Sequence, residues 1–404
     1  MPAVVADTYV YLDWAATAPL GAEAAEAMAP YLMPGLANLG VGGNANSLHA
    51  PGRAAFAAME DARRSIMRDL GASRPDEIVF TSGATEADDA ALFGIASAAA
   101  SERRQRGSGT FVPHVITTAV EHDAVLAPAK RLEAQGFRVT RLAPDRQGFV
   151  DARSLAAAID ADTVLVSVQA ANSEVGSIQP VAELAGIAHE AGALFHTDAV
   201  QLLGKAPLDL GRLGVDAASL SAHKVGGPKG VGLLYLKART PFSPYMLGGG
   251  QEAGRRSGTQ NVAGIAGFAA ALHAAVVNQE GETARLRLLR DKLYARLSSM
   301  DGIEATVDVE EGSVDFLPNI VHVLVAGMES ETLILRLDMK GFGVSGGSAC
   351  SSHSLDPSHV LRALGIGNDR AQGALRISMG RYTTEADIDA VAVAVALASA
   401  LDWS

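Results

Sequence analysis

Between Glu77 and Lys237, short runs rich in β-branched residues alternate with alanine-rich stretches of helical length. No other feature of the chain restricts its fold as much. Strands joined by helix-length connections pair in parallel, with the helices covering the sheet. Seven strands are predicted, at 77–80, 115–120, 139–142, 164–168, 194–197, 217–221 and 232–236. Several are apolar throughout, as strands buried on both faces are. Helices are predicted over 84–100, 123–135 and 181–190, the last with Pro180 in its first turn.

Beyond the glycine-rich segment 247–258 the texture changes. One long helical stretch over 262–299 leads into a second lobe. There the pattern gives a strand at 319–325, a helix at 330–339, a Gly/Ser loop at 345–354 and a strand near 375–378. A closing helix starts at Thr384, with Asp387 as its capping partner. The expected architecture is α/β: a large domain over 18–275 built on a mostly parallel seven-stranded sheet, and a smaller α+β domain from 1–17 and 276–404.

Composition narrows the function. The 48% of hydrophobic residues is ample for a core, and 33 Lys plus Arg against 45 Asp plus Glu gives a net charge of −12. That balance, with the basic residues scattered, argues against a nucleic-acid surface. The most apolar stretches, 262–277 and 390–401, fall short of the roughly 20 residues that span a bilayer, so no membrane helix is predicted. The first residues carry no basic segment leading into an apolar one, and a cytoplasmic location is expected. A single cysteine, Cys350, excludes an intrachain disulfide, and no metal site is predicted.

In open α/β sheets ligands collect where the strands end at their carboxyl side. That rule selects Thr85, His122, Asn172, Asp198 and Lys224, which follow the first, second, fourth, fifth and sixth strands. The segment Thr81-Ser82-Gly83-Ala84-Thr85-Glu86 opens a helix, so it offers either an ordinary cap or a phosphate site. Lys224 ends a buried strand. It is either a lysine reaching solvent or an amine of depressed pKa suited to covalent chemistry. Asp198 is a helix cap or a carboxylate awaiting a cation. His122 is a structural histidine or one that stacks on a ligand ring and shuttles protons.

Cys350 sits among Ser345, Gly346, Gly347, Ser348, Ser351 and Ser352, where the backbone is expected to be mobile and exposed. A reactive thiol fits that setting better than a buried hydrophobe. Arg376, a charge within the apolar run Ala374-Leu375-Arg376-Ile377, suits either a carboxylate ligand or an internal salt bridge.

Together these segments resemble the cysteine desulfurases, within the class V aminotransferase-like, fold-type I pyridoxal phosphate (PLP) enzymes. The resemblance runs from Tyr11-Leu12-Asp13 to Thr383-Thr384-Glu385 and rests most on Ser221-Ala222-His223-Lys224 and on the Gly347–Ser352 loop continuing into Leu355-Asp356-Pro357-Ser358. That long loop is similar to the group serving iron–sulfur assembly and tRNA thiolation.

The resemblance implies a PLP cofactor carried by Lys224. Asp198 would hold the ring nitrogen, Gln201 the phenolic oxygen, and His122 would stack on the ring. Ala84, Thr85, Ser221 and His223 would bind the phosphate, with Thr259 reaching the phosphate of a neighbouring subunit in a homodimer. Asn172 and Arg376 would hold the carboxylate of L-cysteine. Cys350 would accept its sulfur and pass it to an acceptor protein, a scaffold or a thiolation enzyme. Selenocysteine lyase, cysteine sulfinate desulfinase and a catalytically silent sulfur-trafficking platform are the competing readings. Some positions depart from the family's usual pattern: its His-Val-Asn-Asn-Glu here reads Ala170-Ala171-Asn172-Ser173-Glu174, Ala45 stands where proline is common after Asn44, Gly346 replaces a frequent serine, and Asp88 and Asp89 replace amides.

Overall fold

The computed structural model describes residues 9–107, 111–347 and 358–399. Its strands in chain order are β1 (Val10–Tyr11), β2 (Ile78–Thr81), β3 (His114–Thr118), β4 (Arg138–Leu142), β5 (Thr163–Ser167), β6 (Leu194–Asp198), β7 (Ala217–Ser221), β8 (Gly232–Leu236), β9 (Ile303–Ala305), β10 (Ile320–Val325), β11 (Phe342–Gly343) and β12 (Ala374–Ser378). Seven of them form one sheet in the order β2-β8-β7-β6-β5-β3-β4. Only β8 runs antiparallel to its neighbours; the other pairings are parallel. Because β2 and β7 both oppose β8, they point the same way as the rest. The carboxyl ends of β2, β3, β5, β6 and β7 therefore share one edge.

The sheet is apolar because both of its faces are covered. Every residue of β2, β3, β5, β7 and β8 is buried. One apolar cluster includes Phe80, Val166, Phe195 and Leu233 with Phe268 and Leu272, and another sets Leu92, Ile95 and Leu132 against Val115 and Leu165. A further cluster gathers Leu12, Leu293, Val321, Leu375 and Ile388 around the three-stranded sheet β12-β10-β9.

Two local expectations are corrected. The stretch expected as one helix over 262–299 is two, Val262–Val277 and Gln279–Ser298, bent by 70° at Asn278. There the Asn278 amide donates to Ala274 O at 2.7 Å and the backbone leaves helical geometry, with ψ at 0°. A short polar side chain competing for backbone partners ends a helix in this way. Pro180 precedes the helix Val181–Glu190 as its cap residue, with ψ at 62°, rather than sitting in its first turn. Among the described residues no single helix is long and apolar enough to cross a membrane.

Candidate active site

The shared strand edge opens onto a cavity of about 420 Å³. Ala84, Thr85, His122, Asp198, Gln201, Ser221, His223, Lys224 and Arg376 all line it. Asn172 and Thr259 are not among the lining residues. Asn172 Oδ1 accepts the N–H groups of Glu174 and Val175, both at 2.9 Å, and its Nδ2 donates to Val120 O at 3.1 Å. Its amide is thus spent on a turn behind the wall. Thr259 is exposed beside Gln260, whose side chain accepts from Asn46 at 3.1 Å. Cys350 lies outside the described residues.

The anion end of the cavity is a helix start. Ala84–Gln105 begins right after β2, and the first-turn N–H groups of any helix lack intrahelical acceptors. Glu86 pins the approach to this helix: it accepts from Ser82 N at 2.7 Å and from Arg256 Nε at 2.7 Å. Although burial opposes it, bonding to Arg256 and Ser82 keeps the Glu86 carboxyl below its ordinary pKa. Gly232, at the start of β8, lets this turn approach the sheet: a Cβ there would meet the Gly83 carbonyl carbon at 2.6 Å.

The cation end is Lys224, in the 3-10 turn Ala222–Lys224 that leaves β7. Its Nζ donates to Ala15 O at 2.6 Å and Ala16 O at 3.0 Å. Gln201 Nε2 donates to the same Ala15 carbonyl at 3.0 Å. The neighbouring His223 bonds Thr17 through its Nδ1 at 3.1 Å. Burial, reinforced by the charges of Lys224 and Lys229, pushes its pKa down to about 4, so it is neutral. The N-terminal arm that supplies these partners is tied down by Ala15 N donating to Ser378 Oγ at 2.9 Å. Residue type carries no signal for backbone carbonyls, so sequence reasoning had no means of finding them.

The floor is acidic. Asp198 ends β6 and is 9% exposed, with Oδ1 accepting the Val200 N–H at 3.0 Å. Burial raises its pKa, and the nearby His122, the Val200 N–H and Lys224 work against that rise. His122 caps the helix Asp123–Ala134, its Nδ1 accepting from Ala124 N at 3.1 Å. Asp88, one turn into the helix that starts at Ala84, also lines the cavity; its place one helical turn after Thr85 was the available signal.

The opposite wall comes from the three-stranded sheet. Arg376 on β12 is 2% exposed and donates to Asp13 Oδ1 at 2.8 Å and Ser173 O at 2.9 Å. Its Nε has no hydrogen-bond partner among the described residues. Nearby, Glu174 accepts from Ser358 Oγ at 2.7 Å, and a Cβ on Gly347 would lie 3.0 Å from Glu174 Oε2. The two described residues that flank 348–357 therefore both sit against Glu174.

A lysine, a buried carboxylate and a helix N-terminus converging on one strand edge are the donor set that a phosphorylated, cationic aldehyde cofactor requires. They define an enzyme of the α/β transferase type. The chain belongs to the aminotransferase class-V family, whose sequence model matches residues 10–391. Members of this family depend in general on PLP.

Cysteine desulfurase IscS of Dictyoglomus turgidum is 43% identical over 380 residues, covering 94% of this chain and 92% of the relative. A solved NifS-like protein matches with a TM-score of 0.85 and 38% identity, covering 96% of this chain and 98% of that one. The structure of SspA in complex with cysteine matches at a TM-score of 0.76 and 31% identity, covering 93% and 100% of the two chains.

Proposed function

We infer that the protein is a PLP-dependent cysteine desulfurase, converting L-cysteine to L-alanine and passing the sulfur to its own thiol. The observation that carries this reading is the convergence of Lys224, Asp198 and the Ala84 helix start in one cavity opposite a buried, incompletely paired arginine. The residues fit the cofactor: the first-turn N–H groups suit a phosphate, and the buried Asp198 suits a protonated ring nitrogen. When bound, PLP supplies an electron sink for bonds broken at the substrate's α and β carbons.

The chain's own groups do the rest. Ala84, Thr85, Ser221 and His223 hold the phosphate, Asp198 and Gln201 orient the ring, and His122 covers its face. Thr259 serves the corresponding site of a second copy. Lys224 would anchor the cofactor, and its amine, once free, would take and return the proton at the substrate's α carbon. Arg376 fixes the substrate carboxylate, and Asn172 acts with it by shaping the Ser173–Glu174 turn.

Cys350 as thiolate attacks the substrate sulfur. The Cβ–S bond breaks and an S–S bond forms; the electron pair left at Cβ takes up a proton, so the products are alanine and a persulfide on Cys350. Cys350 follows the described Gly347 by three residues in the chain. The persulfide then serves an acceptor protein.

Several features support the remaining assignments. Leu48 is 90% exposed in the segment that Asn46 ties to Gln260. A second copy covering Leu48 would bring Thr259 to the interface and make the enzyme a homodimer. A persulfide on a free thiol suits the reducing cytoplasm.

Borohydride reduction followed by peptide mapping tests the reading. The expected result is the cofactor fixed on Lys224. A protein that takes up no PLP, or carries it on another lysine, overturns the assignment.

A further inference from the structure

The floor of the cavity holds more carboxyl groups than one cationic ring can use. Asp198 and Asp88 are buried in its lining, and Glu121 is buried behind it. Asp198 has Val200 N, and Glu121 Oε1 accepts from Gln169 N at 2.9 Å and Thr118 Oγ1 at 2.7 Å. Asp88, 1% exposed, has no hydrogen-bond partner on either oxygen among the described residues.

The groups facing Asp88 give it little reason to ionise. From its own helix comes Asp89, from the turn after β3 Glu121, and from the end of β6 Asp198, all acidic. From β6 also comes His196, whose Nε2 lies 3.6 Å from Asp88 Oδ1. Both nitrogens of that ring are already bonded, to Ser167 Oγ at 2.9 Å and Ser219 Oγ at 3.0 Å. Burial pushes the His196 pKa down to about 3, so His196 is neutral. Ser219 on β7 favours the ionised form of Asp88, but neither Asp88 oxygen is in hydrogen-bonding geometry with it. The Lys224 ammonium acts on Asp198.

An anion left without partners in such a place is strongly unfavourable, whereas a neutral acid is tolerated. We propose that Asp88 is a positioning residue of this site: it keeps its proton in the cavity floor, so that the single negative charge of the Asp88–Asp198 pair resides on Asp198, facing the bound ring. The protonation state itself does not depend on the cofactor; only its use rests on the function proposed above. Burial first, then the Asp198 charge, raise the Asp88 pKa in the direction this requires.

The test uses full-length protein, first without cofactor. Infrared difference spectra of wild type minus Asp88→Asn at neutral pH should show the loss of one unionised carboxylic acid stretch. The Glu121 band is assigned separately with Glu121→Gln. Loss of a carboxylate stretch instead overturns the proposal.

Coupling is tested with Asp198→Asn, which removes the neighbouring charge. It should lower the pH at which the Asp88 acid band disappears by about one unit or more. An unmoved band overturns the pairing.

Stability gives a third readout that a purely structural aspartate would not move. The native state keeps a proton that the unfolded chain releases above about pH 4. Wild-type stability should therefore fall, relative to Asp88→Asn, as pH rises from there towards the raised native pKa. Parallel pH profiles contradict the proposal. None of these readouts needs PLP, so a failure of the cofactor assignment would leave them standing.

Discussion

The two walls of the cavity differ in how their polar groups are occupied. On the large-sheet side, the first-turn N–H groups at Ala84 and Thr85 lack intrahelical acceptors, the Asp88 carboxyl has no hydrogen-bond partner among the described residues, and Asp198 has one oxygen bonded to Val200. On the small-sheet side, Arg376 already holds Asp13 and Ser173, and Glu174 holds Ser358. The first wall has valence to spare for a permanent ligand. The second must exchange or share partners when a substrate carboxylate arrives. A site built this way offers its phosphate and ring contacts ready-made, so that on the cofactor side only Lys224 and Gln201 have partners, Ala15 and Ala16, to exchange.

The largest predicted effect comes from removing the amine on the spare-valence wall. Lys224→Ala should cut alanine formation by at least about 10³-fold, since both the anchor and the proton carrier are lost. Cofactor should still bind without a covalent link, as judged by its release on gel filtration. Asp198→Asn comes next. Breaking a buried charge pair costs about 3 kcal/mol, so PLP affinity measured by titration of the apo-protein should fall by about 10²-fold.

On the other wall, Arg376→Lys keeps the charge but loses the planar fork. KM for L-cysteine should rise about tenfold while kcat changes less. An equal loss in both parameters would mean that Arg376 acts on chemistry rather than binding. The smallest effect is at Gly232, where an alanine Cβ would strike the Gly83 backbone. Gly232→Ala should cost about 1–3 kcal/mol in thermal stability and weaken phosphate-dependent cofactor binding severalfold, with KM for cysteine unaffected.

Much of this contrast was legible in the chain. Period and composition located all seven strands of the large sheet, and the carboxyl-edge rule chose Thr85, His122, Asp198 and Lys224, which share the cavity. What stayed hidden has physical reasons. The partners of Lys224 are backbone carbonyls, which every residue type possesses. Asn172 follows its strand as expected, yet a short amide beside two free N–H groups closes a turn on itself. The break at Asn278 interrupts an otherwise helical pattern at a single residue, below the reach of periodicity. Asp88 lies one helical turn after Thr85, which hints at the cavity, but its burial without hydrogen-bond partners among the described residues is not visible in the chain.

The central claim is that the lysine wall and the thiol beyond Gly347 serve one reaction. Intact-protein and peptide mass spectrometry of the PLP-loaded enzyme after a short exposure to L-cysteine tests it most directly. The account predicts one added sulfur atom on Cys350, formed together with alanine and absent from Lys224→Ala. Alanine release with an unmodified Cys350 thiol, unchanged in rate by Cys350→Ser, would contradict it.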